Sequence, residues 1–248
     1  MITINIIGFG NVATHLIWHI NTLEDYTIQA IYSRSKNTTQ NLPIVNDINK
    51  LRSADITLIS VTDDAIAELS ACLPYQNSLI AHTSGTVSID EITHERRGVF
   101  YPLQTFSQQK EVDFSEIPLC LEATNSKDYA LLENLALKLT KKVYSISSLQ
   151  RKKIHITAVF VCNFVNHLFT IGKDIADENN IPFEIFMPLI QETVNKIKTL
   201  DPAQAQTGPA IRNDFLTIEQ HLLQISNNNY KNIYKLLSNS IIQHGKKL

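Results

Sequence analysis

The sequence predicts an α/β fold in which a parallel sheet domain is followed by an all-helical C-terminal domain. Up to residue 147, short β-rich runs alternate with helical stretches, a pattern typical of a parallel sheet with crossover helices. From residue 148 onward, segments with helical hydrophobic spacing replace the strands. We therefore expect one domain over residues 1–147 and a helical domain over residues 148–248.

The first domain contains six strand-like runs and three helices. The expected strands are Ile2–Ile7, Thr27–Tyr32, Ile56–Val61, Leu79–His82, Val99–Tyr101 and Leu119–Glu122. The expected helices are Asn11–Ile20, Asp64–Leu73 and one capped by Ser126, whose apolar positions then recur at helical spacing.

The second domain begins at a capping-box pattern, Ser147 with Gln150 three residues later. Apolar residues of the long helix that follows alternate four and three positions apart, at Ile154, Ala158, Val161, Val165, Leu168, Gly172 and Ile175. This spacing predicts a buried seam. Further helices are expected over Phe183–Lys198, Asp214–Ile225 and Tyr230–Gln243.

Composition argues against several classes of protein. A 44% hydrophobic and 19% charged chain is ordinary for a globular protein. A net charge of −2 without a long basic run gives no support to binding of nucleic acid or a membrane surface. No apolar run reads as long enough to span a bilayer and no leader pattern opens the chain, so we expect a cytoplasmic protein. The three cysteines lack disulfide or metal spacing; each is expected to be a small buried hydrophobe, and no metal site is expected.

A glycine-rich loop, Gly8-Phe9-Gly10-Asn11-Val12-Ala13, joins the first strand to the first helix. In a Rossmann βαβ unit, the first glycine permits a tight turn, the second lets a pyrophosphate approach the backbone, and Ala13 lets helix and sheet pack closely. The helix N-terminus adds N–H groups and a positive dipole. We predict that Gly8, Phe9, Gly10, Asn11 and Val12 bind a dinucleotide; the alternative is a glycine turn without a ligand.

The end of the second strand indicates which dinucleotide is bound. An NAD site usually has an acidic residue there, whereas this chain has Ser33, Arg34 and Ser35. A guanidinium and two hydroxyls suit a 2′-phosphate, so we predict NADP(H) as cofactor, the alternative being that Arg34 is a surface arginine. Val61 and Thr62 follow the next central strand and are expected to border the nicotinamide ribose, whereas Asp63 is expected to cap a helix.

Candidate chemistry in the first domain lies at two other strand ends. His82 ends an apolar strand, where it can donate a proton or simply hold a turn through a hydrogen bond. Ser84 follows it and is expected to contact substrate. Tyr101 and Gln104 belong to a polar-aromatic loop suited to lining a substrate pocket, although Pro102 alone can account for a turn there.

The long helix has a polar stripe on an otherwise apolar surface. At α-helical spacing, His155, Asn163, Asn166 and Thr170 share one arc, with His167 at its edge. We predict Asn163 and His167 as catalytic residues and Asn166 as a substrate contact; a satisfied buried network or a dimer interface explains the stripe equally well. A later loop, between two of the expected helices of the second domain, contains Arg212 and Asp214. Arg212 is a candidate clamp for a substrate carboxylate, and Asp214 is expected to be an N-cap.

Several segments together resemble a known bacterial group: GFGNVA, YSRS, VTDDAI, AHTSG, FYPLQTFS, NFVNHL and QTGPAIRND. The group combines a Rossmann domain with a helical C-terminal domain of unknown function. Its members are described as candidate NADP oxidoreductases, related in architecture to pyrroline-5-carboxylate reductase and the deazaflavin-dependent NADP reductases. The resemblance covers essentially the whole chain. It implies NADP binding and a homodimer formed through the helical domain, but no particular substrate.

One departure from wider relatives bears on the chemistry. The β-hydroxyacid dehydrogenases look similar in layout and have a lysine four residues before an asparagine of the long helix. If Asn163 is the matching asparagine, Val159 occupies the lysine position. The chain would then lack the lysine that serves as proton donor in those enzymes.

The sequence predicts an NADP-dependent oxidoreductase that transfers hydride between NADP(H) and a small C=O or C=N compound. An imine fits the missing lysine, because an already protonated C=N needs no strong acid from the enzyme. Two alternatives stay open: a non-catalytic NADP-binding sensor or partner protein, and a structural dimer with a vestigial loop.

Overall fold

The computed structural model describes residues 1–34, 42–107 and 109–245. The chain divides into two compact units, Met1–Cys162 and Asn163–Leu248. The line of division falls inside the long helix predicted to begin the second domain, and the domain boundary after residue 147 stays a prediction.

The first unit contains an eight-stranded sheet in the order β3-β2-β1-β4-β5-β6-β7-β8. The strands are β1 Ile2–Ile7, β2 Tyr26–Tyr32, β3 Ile44–Val45, β4 Ile56–Ile59, β5 Leu79–His82, β6 Arg97–Pro102, β7 Leu119–Ala123 and β8 Val143–Ser145. All neighbours pair in parallel except β6 and β7, which are antiparallel. The expected α/β class is confirmed. The expectation of a parallel sheet is corrected at the β6–β7 pair. Among the described residues, a 3₁₀ turn at Phe114–Glu116 is the only helical element between β6 and β7, so the chain makes no helical crossover.

Helices cover both faces of this sheet. The helices of the first unit are α1 Asn11–Ile20, α2 Ile66–Ala71 and α3 Ser126–Leu139. One buried cluster joins the sheet to α1 and α3, and a second joins the opposite face to α2. Because both faces are covered, the central strand β4 is buried at every position, including its one polar residue, Thr57, whose hydroxyl lies 2.9 Å from that of Tyr75.

The cap of α3 differs from expectation. Asn125 is the N-cap and accepts a hydrogen bond from the Asp128 backbone N–H, while Ser126 is the first helical residue. Both residue types cap helices well, so the sequence pattern alone leaves a one-residue ambiguity.

A continuous helix of 31 residues, Ser148–Glu178, links the two units. It consists of α4 Ser148–Ala158, a π-helical segment Val159–Phe164 and α5 Val165–Glu178. The predicted capping box is confirmed, because the Ser147 side chain accepts from the Gln150 N–H and the Gln150 side chain accepts from the Ser147 N–H.

The start of α4 is fastened to the sheet by an ion pair. Arg151 is fully buried, and its Nη1 lies 2.7 Å from Oε2 of Glu122 on β7. The same carboxylate accepts from the Ser148 backbone N–H at 2.9 Å and from the Ser148 hydroxyl at 2.7 Å. Arg151 also donates to the carbonyl of Val87. The Glu122 carboxylate therefore joins β7 to the first turn of α4.

The second unit continues with α6 Met187–Lys196, α7 Pro202–Ala205, α8 Phe215–Gln224 and α9 Asn228–Gly245. Asp214 caps α8 by accepting from the Thr217 N–H at 3.1 Å, as predicted. The helix expected over Phe183–Lys198 begins instead as a 3₁₀ turn, Phe183–Phe186, before α6.

Large apolar side chains lie exposed along the long helix and the second unit. Between residues 163 and 245, the buried hydrophobic residues that the structure describes are Ile171, Ala176, Ala210 and Ile218. The exposed ones from Ile156 onward include Phe160, Val161, Phe164, Leu168, Ile185, Leu189, Leu216, Leu223 and Leu236. The predicted buried seam is therefore not buried within the single chain.

By length and composition, one helix of the described chain could cross a membrane. An 18-residue window of Ser148–Glu178 has a mean hydropathy of 1.5, and 6% of it is buried. This corrects the expectation that no apolar run is long enough, although length and composition alone are weak grounds for a membrane span. The cytoplasmic location stays a prediction.

The cysteines also depart from expectation. Cys120 on β7 is buried, but Cys72 and Cys162 are exposed. Cys72 is the C-cap residue of α2 and Cys162 lies in the exposed π-helical segment, so neither reaches the core.

Candidate functional site

A cleft of about 670 Å³ opens at the carboxyl ends of the central strands. It lies where the strand order reverses, between β1 with its neighbour β2 on one side and β4 on the other. Open α/β sheets bind their ligands at such switch points. Its lining residues are Gly8, Phe9, Gly10, Asn11, Val12, Tyr32, Ser33, Arg34, Ser60, Val61, Thr62, Asp63, Leu69, Thr83, Ser84 and Gly85.

The two glycines of the loop have different physical roles. Gly8 has φ +110°, and a Cβ there would lie 2.1 Å from the Ser60 carbonyl oxygen, so the fold itself requires glycine. Gly10 has an ordinary extended backbone, and no described atom lies within 4 Å of where its Cβ would be. A side chain at Gly10 would therefore occupy the cleft without disturbing the fold.

The N-terminus of α1 is suited to an anion. Gly10 is its N-cap and supplies no side chain, and the first turn contains no acidic residue. The first-turn N–H groups of a helix have no partners within the helix, and the helix dipole favours negative charge at this end. Together with the space above Gly10, this arrangement can hold a phosphate or pyrophosphate.

The end of β2 contributes a cation to the cleft. Arg34 is exposed and lines the cleft, and Ser33 is buried beside it with its N–H bonded to the Val45 carbonyl at 3.1 Å. A hydrogen bond from the Thr62 side chain, and more weakly the Arg34 charge, lower the pKa of the Asp64 carboxyl. Arg34 therefore lies near the end of β4. The predicted residue Ser35 lies outside the described residues.

The turn after β4 corrects the expectation that Asp63 caps a helix. Thr62 is the N-cap of a 3₁₀ turn that runs over Asp63–Ala65, so Asp63 does not cap it. The Asp63 carboxylate instead accepts a hydrogen bond from the Thr86 hydroxyl. That bond ties the end of β4 to the segment after β5, and Val61 and Thr62 line the cleft as expected.

His82 is buried and is absent from the lining of the cleft. Its Nδ1 accepts from the Ser84 backbone N–H at 3.1 Å. Burial, helped by the nearby positive charge of Arg151, lowers the pKa of His82 to about 4. A neutral, buried imidazole cannot supply protons at neutral pH, so the geometry favours the turn-holding role over proton donation.

The His82 shift predicts a pH-dependent stability. The folded pKa of about 4 lies below the unfolded value of 6.5, so the unfolded chain binds the extra proton between these values. Stability should therefore be full above pH 6.5 and fall as pH drops toward 4, by about 2 kcal/mol at pH 5. His82→Asn keeps an acceptor for Ser84 and should remove this part of the acid sensitivity.

Urea unfolding at pH 7 and pH 5, followed through Trp18, the single tryptophan, measures the effect. If the free energy of unfolding falls equally in wild type and His82→Asn between pH 7 and pH 5, the lowered pKa of His82 is contradicted.

Three predicted substrate contacts of the first unit have different surroundings. Ser84 lines the cleft, and its hydroxyl accepts from the backbone N–H groups of Thr86 and Val87 at 3.0 and 3.1 Å. Tyr101 is buried at the end of β6. Gln104 is exposed, and its side-chain oxygen accepts from the next residue's N–H at 2.8 Å.

Tyr101 forms a pair that sequence reasoning did not connect. Its hydroxyl lies 3.4 Å from Nδ1 of His155 on α4. Gly85, which lines the cleft, packs against both rings: a Cβ there would lie 2.7 Å from His155 Nδ1 and 2.9 Å from Tyr101 Cζ. The sequence places these three residues in separate motifs, so only the fold reveals the cluster.

A ladder of side chains joins α1 to the loop after β6. Asn11, His15 and His19 are four residues apart and bond the carbonyls of Phe106, Ser107 and Val112 at 3.0, 2.9 and 3.1 Å. This polar spacing on an apolar helix is visible in the sequence, but its partners about ninety residues away are not. The loop that carries Gln104 is thus attached to the helix that carries the glycine loop.

The remaining predicted residues lie in the second unit. Asn163, Asn166, His167 and Arg212 are all exposed there. The π-helical segment Val159–Phe164 separates His155 from Asn166, so α-helical spacing does not hold between them. The expected single arc is therefore corrected, whereas the roles of these residues stay predictions.

Comparison with known proteins identifies relatives. A family described as "Domain of unknown function (DUF2520)" matches residues 117–241. A crystal structure from Bacteroides fragilis, named as a candidate NADP oxidoreductase, is 36% identical, with 98% of both chains covered and a TM-score of 0.91. No curated protein matches the chain.

Two more distant structures share the fold. A Plasmodium falciparum pyrroline carboxylate reductase with NADP bound is 15% identical, with 99% of this chain and 97% of that chain covered and a TM-score of 0.62. An imine reductase from Myxococcus stipitatus in complex with NADP⁺ is 13% identical, with 99% and 93% covered and a TM-score of 0.65. At these identities the likeness concerns the fold alone.

Proposed function

The chain belongs to the DUF2520 family. We propose that it is an NADP-dependent oxidoreductase acting on a small C=O or C=N compound. The observation that carries this proposal is the cleft at the switch point of the sheet. Nine of the ten residues predicted to bind the cofactor line it, and the tenth, Ser35, lies outside the described residues. Its volume of about 670 Å³ falls within the range of cofactor sites.

NADP(H) fits the residues present. The open space above Gly10 and the uncapped N-terminus of α1 suit the pyrophosphate. Arg34 at the rim suits a 2′-phosphate, and the end of β2 carries no carboxylate that would repel it. The name of the Bacteroides fragilis relative and the NADP bound in the two distant structures support the same assignment.

The chain's own contribution to the reaction is to position the reactants. When bound, the dinucleotide supplies the hydride chemistry. Val61 and Thr62 line the cleft, and we propose that they border the nicotinamide ribose. Ser84 and Gly85 line the same cleft after the end of β5. In the helical unit, Asn163 and His167 are proposed as catalytic residues and Asn166 and Arg212 as substrate contacts. Unchanged turnover in Asn163→Ala would remove that residue from the proposal.

Imines are the first substrates to screen. If Asn163 matches the asparagine of the β-hydroxyacid dehydrogenases, Val159 stands where those enzymes have a lysine. Two structures that share the fold are named a pyrroline carboxylate reductase and an imine reductase. We propose a cyclic imine ahead of a carbonyl compound. Turnover of carbonyl compounds alone would reverse this order.

The cofactor assignment predicts a strong preference that depends on Arg34. NADPH should bind at least about tenfold more tightly than NADH, and Arg34→Ala should remove about 1.4 kcal/mol or more of that preference. The physical reason is the loss of the guanidinium that would pair with the 2′-phosphate. Fluorescence titration of the purified chain with each nucleotide measures both affinities.

Gly10→Val is the matched control. The new side chain enters open space, so folding should be unchanged, yet it should block both nucleotides alike. Equal affinity of wild type for NADPH and NADH would refute the NADP assignment. Binding of neither would leave the loop as a plain turn, and binding without NADPH oxidation by any acceptor would favour the sensor.

We propose further that the partner is a second copy of this chain, joined through the helical region. The support is the set of apolar side chains exposed along the long helix and the second unit, against few buried ones. Contiguous exposed apolar surface marks an interaction site, and the family resemblance of the sequence implies a homodimer.

A further inference from the structure

We propose that Asp63 recognises positive charge at the nicotinamide end of the cleft, and that the substrate is therefore a cation, a protonated imine. The inference rests on the proposed function and deepens it by assigning a residue to the choice of substrate. Asp63 then favours two positively charged groups, the protonated imine before hydride transfer and the oxidised nicotinamide after it.

The two ends of the cleft carry opposite charges. Among the described residues that line it, the charged side chains are those of Arg34 and Asp63. Arg34 follows β2 on one side of the glycine loop, and Asp63 follows β4 on the other. With the 2′-phosphate at Arg34 and the pyrophosphate at the glycine loop, the nicotinamide half extends toward the ends of β4 and β5. The carboxylate of Asp63 therefore lies at the nicotinamide end.

The Asp63 carboxylate is held in place but keeps free acceptor capacity. Its Oδ2 accepts a hydrogen bond from the Thr86 hydroxyl, in the segment after β5. The Ser84 hydroxyl, which also lines the cleft, accepts from the Thr86 and Val87 backbone N–H groups and so orders this segment. A carboxylate offers about four acceptor sites over its two oxygens. One hydrogen bond fixes the group and leaves acceptor sites that can face a cation.

Buried groups near Asp63 do not neutralise it. The Asp63 charge acts on His82 and Tyr101, which are both buried. Burial lowers the pKa of His82 to about 4 and raises the pKa of Tyr101 to about 12, so both are uncharged at neutral pH. Arg151, whose charge acts on the same two groups, is paired with Glu122 at 2.7 Å. The nearest buried cation is thus already balanced by a carboxylate of its own.

The surface on the other side of Asp63 is also negative. A smaller pocket of about 280 Å³ shares Asp63 with the cleft and is lined as well by Asp64, Glu91 and Lys152. Three carboxylates therefore accompany one ammonium group there. A positively charged ring in the cleft would meet a carboxylate that this pocket does not cancel.

One carboxylate suits a reaction in which a single positive charge changes place. In the reduction of a protonated imine, the substrate carbon gains a hydride from the reduced dinucleotide, and the C=N electron pair becomes the lone pair of the amine nitrogen. The positive charge leaves the substrate and appears on the nicotinamide, so this step takes up no proton. Asp63 faces one positive charge before and after it. A neutral carbonyl compound would bring no charge for Asp63 to bind and would need a proton as well.

Dinucleotide binding tests the charge recognition without turnover, because the nicotinamide rings of NADP⁺ and NADPH differ by one positive charge. Isothermal titration calorimetry on the full chain gives both affinities. Asp63→Asn keeps an acceptor for Thr86 but removes the charge. It should weaken NADP⁺ relative to NADPH by about fivefold or more, as expected for opposite charges about 4 Å apart in water. Asp63→Glu keeps the charge and should hold the ratio within about twofold of wild type.

Glu91→Gln is the matched control, because Glu91 is an exposed carboxylate of the smaller pocket that does not line the cleft. It should leave the ratio within about twofold of wild type. A change in Glu91→Gln as large as that in Asp63→Asn would show a general effect of surface charge and would overturn the assignment to Asp63.

A pair of small rings tests the substrate class. Pyrrolidinium and tetrahydrofuran are both saturated five-membered rings, and only the first is a cation. In NMR titrations of the chain saturated with NADPH, wild type should bind pyrrolidinium at least about fivefold more tightly than tetrahydrofuran. Asp63→Asn should lose this preference, whereas Asp63→Glu and Glu91→Gln should keep it.

The outcomes separate this inference from the proposed function. An NADP⁺ to NADPH affinity ratio for Asp63→Asn within about twofold of wild type would overturn the inference. Pyrrolidinium that binds wild type no more tightly than tetrahydrofuran would do the same. Both results leave the proposed function intact, because wild type still binds the dinucleotide. Wild type that binds neither NADPH nor NADP⁺ would overturn the proposed function and the inference with it.

Discussion

Replacing Arg151 by leucine should lower the free energy of unfolding by about 3–5 kcal/mol. The guanidinium is fully buried, and its partner Glu122 is mostly buried, with 19% of its side chain exposed. Removing only the cation leaves a carboxylate in a poorly solvated place, held by Ser148 alone. Urea unfolding of the purified chain, followed by Trp18 fluorescence, measures the loss.

Two controls separate this effect from a general sensitivity to lost charges. Lys138→Ala breaks an exposed ion pair with Asp25 and should cost less than about 1 kcal/mol. Combining Arg151→Leu with Glu122→Leu removes both charges and should recover much of the loss. A cost for Arg151→Leu as small as that for Lys138→Ala would show that the buried pair does not anchor α4.

The chain should be a dimer at micromolar concentration, with twice the mass of the 28.0 kDa chain in sedimentation equilibrium. Its unfolding temperature should also rise with concentration, because association stabilises the folded state by mass action. Val161→Asp should shift the equilibrium to monomer, since burying an unpaired carboxylate in an apolar interface is strongly unfavourable. Val161 is 61% exposed in the single chain and lies on the long helix.

Leu137→Asp is the matched control, because Leu137 is a similarly exposed apolar residue on α3 of the first unit. It should leave the mass unchanged. A wild-type chain that sediments as a monomer, with an unfolding temperature independent of concentration, would rule out the proposed homodimer.

The parts of the fold that depend on local pattern were predictable. β1, α1 and β5 have the predicted bounds, because each combines a clear hydrophobic period with turn residues at its ends. The glycine loop was found for the same reason: its chemistry is contained in six consecutive residues. The strand β3 is only two residues long and gives no such signal.

The parts that depend on distant contacts were not predictable. His82 was predicted as an acid because it ends a strand and the ordinary pKa of histidine lies near neutrality, whereas its burial comes from the packed sheet. Tyr101 and His155 are separated by 54 positions, so their pairing arises only when α4 returns to the sheet. The π-helical segment changed the register of the polar stripe, and nothing in the hydrophobic spacing marked it.

The ladder from α1 to the loop after β6 has a consequence for exchanging parts between relatives. Because Asn11, His15 and His19 hold three backbone carbonyls of that loop, helix and loop behave as one module despite their separation along the chain. A chimera that imports only the nucleotide helix would leave the loop without its supports. The smallest transferable unit of this cleft is therefore discontinuous, and the two segments have to be inherited together.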